Sequence, residues 1–203
     1  METNAHGTEP PSAWVQRWSH LIPERGVVLD VACGHGRHAR WFYEKKHPLT
    51  LVDRAQAAIE FIANTLPARP NQAVEAVVAD IEEGPWPFEG RRFEAVIVTN
   101  YLWRPLLPTL LASLAPGGVL IYETFTQGNE TVGKPSRPDF LLRPGELLQV
   151  CEGLKVVAFE EGFEERPPRF VQRIAAVRES AATAGLSAPL HAAEGGPPRY
   201  RLT

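Results

Sequence analysis

Cysteine is almost missing from this chain: Cys33 and Cys151 are the only two in 203 residues. Two cysteines build neither a disulfide framework nor a zinc-ligand spacing, which fits a reducing compartment. An excess of charge of one sign is missing too. The 21 Lys and Arg residues face 24 Asp and Glu residues, for a net charge of -3. That balance leaves no electrostatic footprint for a nucleic acid backbone. Arg166, Arg169, Arg173 and Arg178 recur late in the chain, but glutamates are interleaved with them. The pattern reads as a solvated, salt-bridged surface before it reads as a site for an acidic substrate. No apolar run approaches the ~20 residues that a membrane helix needs. The opening METNAHGTEPPS is polar, neither a secretion signal nor an anchor. A cytoplasmic protein with no membrane partner is expected. The length suits one well-packed domain, expected over residues 13–179, with a flexible lead at 1–12 and a mobile tail at 180–203.

What is present is an alternation of strand and helix patterns. Short apolar runs at 26–32, 48–54, 73–80, 93–100 and 119–125 read as buried strands. Helical patterns lie between them, at 38–46, 55–66 and 104–115, the last stopped by Pro116-Gly117-Gly118. A further helix is expected at 12–21, capped by Ser12 with Trp14, Val15, Trp18 and Leu21 on one face. Another is expected at 144–153, and two more strands, 154–163 and 169–179, form a hairpin across the link 164–168. Five parallel strands with helices on both faces and an antiparallel edge follow from this order.

In such sheets ligands bind at the carboxyl ends of the strands. Asp30, Asp53, Asp80 and Asn100 all fall there. The stretch VLDVACGHGRHARW (28–41) puts an acid just before a glycine turn. Gly34 and Gly36 let the backbone approach a ligand, and the next helix offers free N–H groups. Gly34, Gly36 and Ala39 even match a dinucleotide spacing. Asp30 argues against that reading, because it would repel a pyrophosphate but suits an amine or a bound water. Asp53 can accept from both hydroxyls of a ribose, and Asp80 with Ile81 can receive an adenine. A ligand with an amino acid end, a ribose and an adenine is described, and S-adenosylmethionine has those parts.

The segments LDVACGHGR (29–37), LVDR (51–54), VVADIE (77–82) and LAPGGVLIYETF (114–125) resemble the class I S-adenosylmethionine-dependent methyltransferases. The subgroup is similar to the small bacterial tellurite-resistance-like enzymes. The resemblance implies an α/β, Rossmann-like three-layer sandwich, with a mostly parallel seven-stranded sheet and an antiparallel hairpin at one edge. It implies S-adenosyl-L-methionine as cofactor. By the same resemblance Ala32, Gly34 and Gly36 line its methionine part, Arg37 is a candidate clamp on its carboxylate, and Asp30 holds its amino group. Asp53 binds the ribose, Asp80 and Ile81 frame the adenine, and Asn100 and Tyr101 stand near the sulfonium and the acceptor as the catalytic candidates. Ala32 departs from the family, which usually has glycine there; a negative φ at this residue is expected to make the alanine harmless.

Each residue has a plainer role beside this one. Asp53 and Asp80 can cap turns or helices, His35 and His38 can be surface residues, and both cysteines can be small buried hydrophobes. Trp14 and Trp18 read as packing. No metal ligands cluster. A small-molecule acceptor is expected; an RNA- or protein-directed methyltransferase and a non-catalytic cofactor-binding module are the alternatives. No Asn-Pro-Pro-Tyr-like run or Pro-Cys nucleophile supports DNA base methylation, and a nucleic acid partner has no support in the charge. The insertion 127–146, with Asn129, Lys134, Arg137 and Asp139, is expected to form a lid over the acceptor and to favour an anionic or electron-rich one.

Overall fold

The computed structural model describes residues 9–180 and 200–202. A seven-stranded sheet runs in the order β3-β2-β1-β4-β5-β7-β6. Its strands are β1 Val28–Val31, β2 Leu49–Asp53, β3 Val74–Val78, β4 Phe93–Thr99, β5 Leu114–Phe125, β6 Lys155–Glu165 and β7 Pro168–Val177. β1 to β5 are parallel, and β7 and β6 add an antiparallel edge. The order reverses between β1 and β4, and a crevice opens at that switch point.

The period-2 alternation of the strands feeds two cores. Val28, Leu51, Ile97 and Ile121 pack under helices α1 Ala13–Trp18, α2 Arg37–Glu44 and α3 Gln56–Thr65. Leu29, Val31, Val98 and Tyr122 pack under α4 Leu107–Ala112 and α5 Glu146–Val150. Asp30 follows Leu29 and therefore points to the α2 side. α1 starts as expected: the Ser12 hydroxyl accepts from the Trp14 amide at 3.1 Å. Trp14 and Trp18 are buried edge to face, 5.6 Å between centroids, and the Trp14 indole donates to the Ile174 carbonyl. They are packing residues.

Three boundaries differ from the sequence reading. The helix expected over 104–115 is a 3-10 turn followed by a six-residue α4, and β5 already begins at Leu114. The Pro116-Gly117-Gly118 stretch is a bend inside the strand, where the register shifts between Phe93 and Ala95. The Arg178 amide donates to the Gly118 carbonyl there, and a Cβ on Gly118 would come within 2.8 Å of two carbonyl oxygens. β3 stops at Val78, so Asp80 opens a turn rather than ending a strand. The β6–β7 ladder reaches Glu165 and Pro168, which leaves a two-residue link where five were expected. The lead over residues 1–8 and the tail over 181–199 lie outside the described residues. Tyr200 packs against the α1 side of the core.

Candidate functional site

Two cavities meet at the switch point, and Ala32 and Asn100 line both. The first, of about 310 Å³, has Asp53, Arg54, Ala79, Asp80, Ile81 and Glu82 along one side. Tyr101, Leu102, Thr124, Phe125, Pro135 and Phe140 form the rest of its wall. The second, of about 220 Å³, lies along the glycine turn against Gly34, Arg37 and His38, with Glu9 at its rim. Most of the residues expected to hold the cofactor are therefore brought together. Asp30 and Gly36 do not line either cavity; they lie under the turn.

The glycine turn is held from below. Asp53 Oδ2 accepts from the Gly34 amide and Oδ1 from the Ala55 amide, both at 2.8 Å. The capping role leaves lone pairs of Asp53 free for a ligand, because an ionised carboxylate offers about four lone-pair sites. Gly34 has φ +53, and a Cβ there would project into open space above the turn. Gly36, φ +75, is the residue before α2, and its Cβ would meet Ile62 at 3.0 Å. Glycine suits both positions, at each for the left-handed backbone and at Gly36 also for helix packing.

Ala32 corrects the sequence reading: its φ is +51, not negative. Asn100, at φ +54, is a second left-handed residue on the same crevice. An alanine in this region costs about 1–2 kcal/mol, and such strain persists where surrounding structure over-determines it.

Asp30 is 1% exposed, and neither carboxylate oxygen has a hydrogen-bond partner. Burial pushes its carboxyl up to about 7; the Arg37 guanidinium opposes the rise and the Asp53 carboxylate adds to it. An orphaned acid beneath a glycine cradle fits an incoming ammonium or a water carrying one. Asp80 is exposed, and its Oδ1 accepts from the Glu82 and Glu83 amides at 2.9 and 3.2 Å. Those bonds hold its carboxyl below the usual range. Its turn sets Ile81 and Glu82 on the cavity wall.

Sequence reasoning missed His38. It is not on the helix surface but buried at 2% exposure, with Nε2 accepting from the Ser12 amide at 3.2 Å. Its Nδ1 then carries the proton and faces Thr99 Oγ1 at 3.5 Å. Burial first, then Arg37, pushes the imidazole down to about 3, so it stays neutral. The one available signal was the helical spacing of His38 with Phe42, which puts both on the apolar face of α2. Cys33 and Cys151 are buried free thiols. Burial raises both, Cys151 to about 12, so neither is a thiolate at neutral pH. Burial first and then Glu82 raise the Tyr101 hydroxyl, which holds it as a phenol.

The insertion 127–146 is anchored along its length. The buried Asn129 donates to the Pro135 carbonyl and accepts from the Phe170 amide. Arg104 grips Glu146 with two hydrogen bonds, 2.7 and 2.9 Å, and also donates to the Asp139 and Leu141 carbonyls. Burial alone would raise the Glu146 carboxyl, but the bonds from Arg104 and the Arg143 amide win and bring it down to about 2. Pro135 and Phe140 reach the cavity from this segment. Lys134 and Arg137 do not; Lys134 is exposed and Arg137 pairs with Asp139 at 2.9 Å in solvent.

A doubly wound sheet of this order, with a glycine cradle, an orphaned acid and a second acid one strand away, is the architecture expected from the sequence. Residues 28–118 match the family model for a methyltransferase domain. That match spans 91 of the 203 residues. Solved structures share the fold. TehB from Haemophilus influenzae is 16% identical with a TM-score of 0.65, over 79% of this chain and 60% of that one. A SAM-dependent methyltransferase from Methanosarcina mazei is 14% identical with a TM-score of 0.64, over 85% of this chain and 100% of that one. A TehB-like SAM-dependent methyltransferase from Corynebacterium glutamicum is 16% identical with a TM-score of 0.60, over 82% and 87%. This chain spans 60% of the Haemophilus TehB length, and at these identities the likeness is one of fold. No curated protein matches the chain by sequence. No helix among the described residues is long and apolar enough to cross a membrane.

Proposed function

We propose that the protein transfers a methyl group to a small-molecule acceptor, which enters the larger cavity between the loop after β4 and the anchored insertion. The single observation that carries this reading is the lining of that cavity: Tyr101 and Leu102, from the loop after β4, share it with Pro135 and Phe140 of the anchored insertion. A wall of this kind shapes a pocket for one small molecule, whereas an RNA helix needs an open cationic surface.

S-adenosyl-L-methionine is the cofactor that the residues fit. Asp30, beneath the turn, reaches its amino group through a water, with Ala32, Gly34 and Arg37 along the amino acid end and Gly36 behind them. Asp53 takes the ribose hydroxyls with the lone pairs that Gly34 and Ala55 leave free. Asp80 and Ile81 frame the adenine. Bound there, the cofactor supplies a methyl group already activated by a sulfonium. The protein's part is to orient and to exclude water. Asn100 positions the donor end and Tyr101 borders the acceptor. Tyr101 stays protonated and His38 has both ring nitrogens engaged, so neither acts as a general base. An acceptor that already has its lone pair unprotonated needs no base. The buried free thiols are consistent with a cytoplasmic setting, and the domain is taken to run over residues 13–179.

The test separates acceptor classes. Purified protein is incubated with methyl-labelled S-adenosylmethionine and, in parallel, with metabolites below about 1 kDa (a size range chosen for small ligands), total RNA, or total protein from a bacterial extract. Label entering the metabolite fraction supports the reading. Label entering only RNA or protein overturns it.

A further inference from the structure

A third cavity, of about 230 Å³, lies at the opposite edge of the sheet from the cofactor crevice. Arg25 precedes β1, Lys46 precedes β2, and Arg69, Pro70, Asn71 and Gln72 precede β3; all six line it. Those three strands are parallel, so the cavity sits at their amino ends. Its charged lining is two guanidiniums and an ammonium with no carboxylate, in a chain whose net charge is -3. Five non-glycine residues among those described are left-handed, and Ala32 and Asn100 line the cofactor crevice. The other three are Arg25 at φ +59, Lys46 at φ +64 and Asn71 at φ +64, and all of them line this third cavity. Glycine would relieve each position, and strain of this kind gathers where a ligand is clamped.

The three loops are tied together beneath these cations. His47 Nδ1 donates to the Gly26 carbonyl at 2.9 Å, and Gln72 Nε2 donates to the Tyr43 and His47 carbonyls at 2.8 and 3.0 Å. Both side chains are buried. The Arg69 and Gln72 backbones exchange a pair of hydrogen bonds, and the Arg69 guanidinium lies 3.9 Å over the Tyr43 ring. Its one acid, Glu44, is 3.5 Å away with both side chains in solvent, a contact of little worth that a ligand can displace. The Arg25 and Lys46 side chains make no hydrogen bond or ion pair among the described residues. We propose that this cavity is a binding site separate from the cofactor crevice, and that it takes the terminal phosphoryl or pyrophosphoryl group of a small ligand. A terminal phosphoryl group carries about −1.5 to −2 charges and three acceptor oxygens, one for each cation. A carboxylate is met by a single guanidinium and leaves the other cations unused. A nucleic acid backbone has one charge per phosphate and needs an extended basic track, which one cavity with three cations does not supply. The tied loops hold the cations in place before the ligand arrives, so little order is lost on binding.

The experiment titrates the full chain calorimetrically with pyrophosphate, inorganic phosphate and dimethyl phosphate, the last standing for a nucleic acid backbone. S-adenosylhomocysteine is present in excess throughout, to keep the probes out of the cofactor crevice. Pyrophosphate and phosphate should bind at one site, and dimethyl phosphate about tenfold or more weakly than pyrophosphate, since it has less charge and fewer free oxygens. The double variant Arg25→Asn, Lys46→Asn removes two charges and keeps side chains that tolerate a left-handed backbone. It should weaken pyrophosphate binding about tenfold, the loss of two exposed charged contacts. Lys46→Asn alone, at a position after a helix where asparagine is common, should weaken it about threefold and guards against misfolding of the double variant. These variants report on this cavity whether or not S-adenosylhomocysteine binds, so the result stands apart from the methyl-transfer reading. No pyrophosphate binding, undiminished binding to the folded variants, or dimethyl phosphate binding as tightly as pyrophosphate overturns the inference.

Discussion

Replacing Asp30 by asparagine should stabilise the cofactor-free protein at alkaline pH and do nothing of the kind in acid. The carboxyl rises from 3.8 to about 7 on folding, chiefly through burial. A raised acid favours the fold below its unfolded value, and that contribution is lost as pH rises through the folded value. Each pH unit of that rise is worth about 1.4 kcal/mol, so the ionised group costs the fold on the order of 4 kcal/mol at pH 8. The Asp30→Asn side chain keeps the shape without the charge but is itself a buried amide, an offset of about 1–3 kcal/mol. The informative quantity is the difference between variant and wild type. It should swing in the variant's favour by about 4 kcal/mol between pH 4 and pH 8 whatever the constant offset. His38 acts in the opposite sense. Its imidazole falls from 6.5 to about 3 on folding, so stability drops as pH falls below 6.5. The wild-type curve should therefore be nearly flat between pH 4 and 6.5, while the variant's should slope. Urea melts at half-unit pH intervals give both curves. A variant curve parallel to wild type from pH 4 to 8 would refute the claim that Asp30 is an unpaired buried acid.

Three further outcomes follow from the same geometry. Asp53→Ala should weaken S-adenosylhomocysteine binding by roughly 1.5–3 kcal/mol, the range for a hydrogen bond to a charged group; unchanged calorimetric affinity in a folded variant would leave Asp53 as a support for the turn alone. Ala32→Gly should stabilise the protein by about 0.5–1 kcal/mol, the left-handed strain relieved less the added freedom of the unfolded chain, and a thermal melt showing a loss would contradict the strain assignment. Arg104→Met should cost about 3 kcal/mol by removing the bidentate partner of the buried Glu146 and leaving it only its Arg143 contacts. Because the Glu146 carboxyl is depressed, that cost should be present near neutral pH and fade as pH falls from 4.5 toward 2, as acid titration of the variant would show.

The sheet was legible because its signals are local. Buried parallel strands read as short apolar runs, and each was followed by a helix or a turn acid. Boundaries failed where tertiary pairing decides them: Pro116-Gly117-Gly118 looks like a helix stop, yet the antiparallel neighbour β7 draws it into β5. The strand-end positions of Asp30 and Asp53 could be read from the sequence, whereas Asp80 falls in the turn after β3. The φ of Ala32 could not, since the turn is fixed by the Asp53 carboxylate nineteen residues away in sequence. His38 was hidden for a similar reason. A histidine's burial depends on what covers it, and Ser12 arrives from the N-terminal side. The cations of the insertion were visible in sequence, but not their direction, because Arg104 and Asn129 set how that segment lies.

Calorimetric titration of the full chain with S-adenosylhomocysteine and, separately, with NAD tests the central claim most directly. One-site binding of S-adenosylhomocysteine with no heat from NAD is the predicted result. Tight NAD binding with no response to S-adenosylhomocysteine would contradict the account.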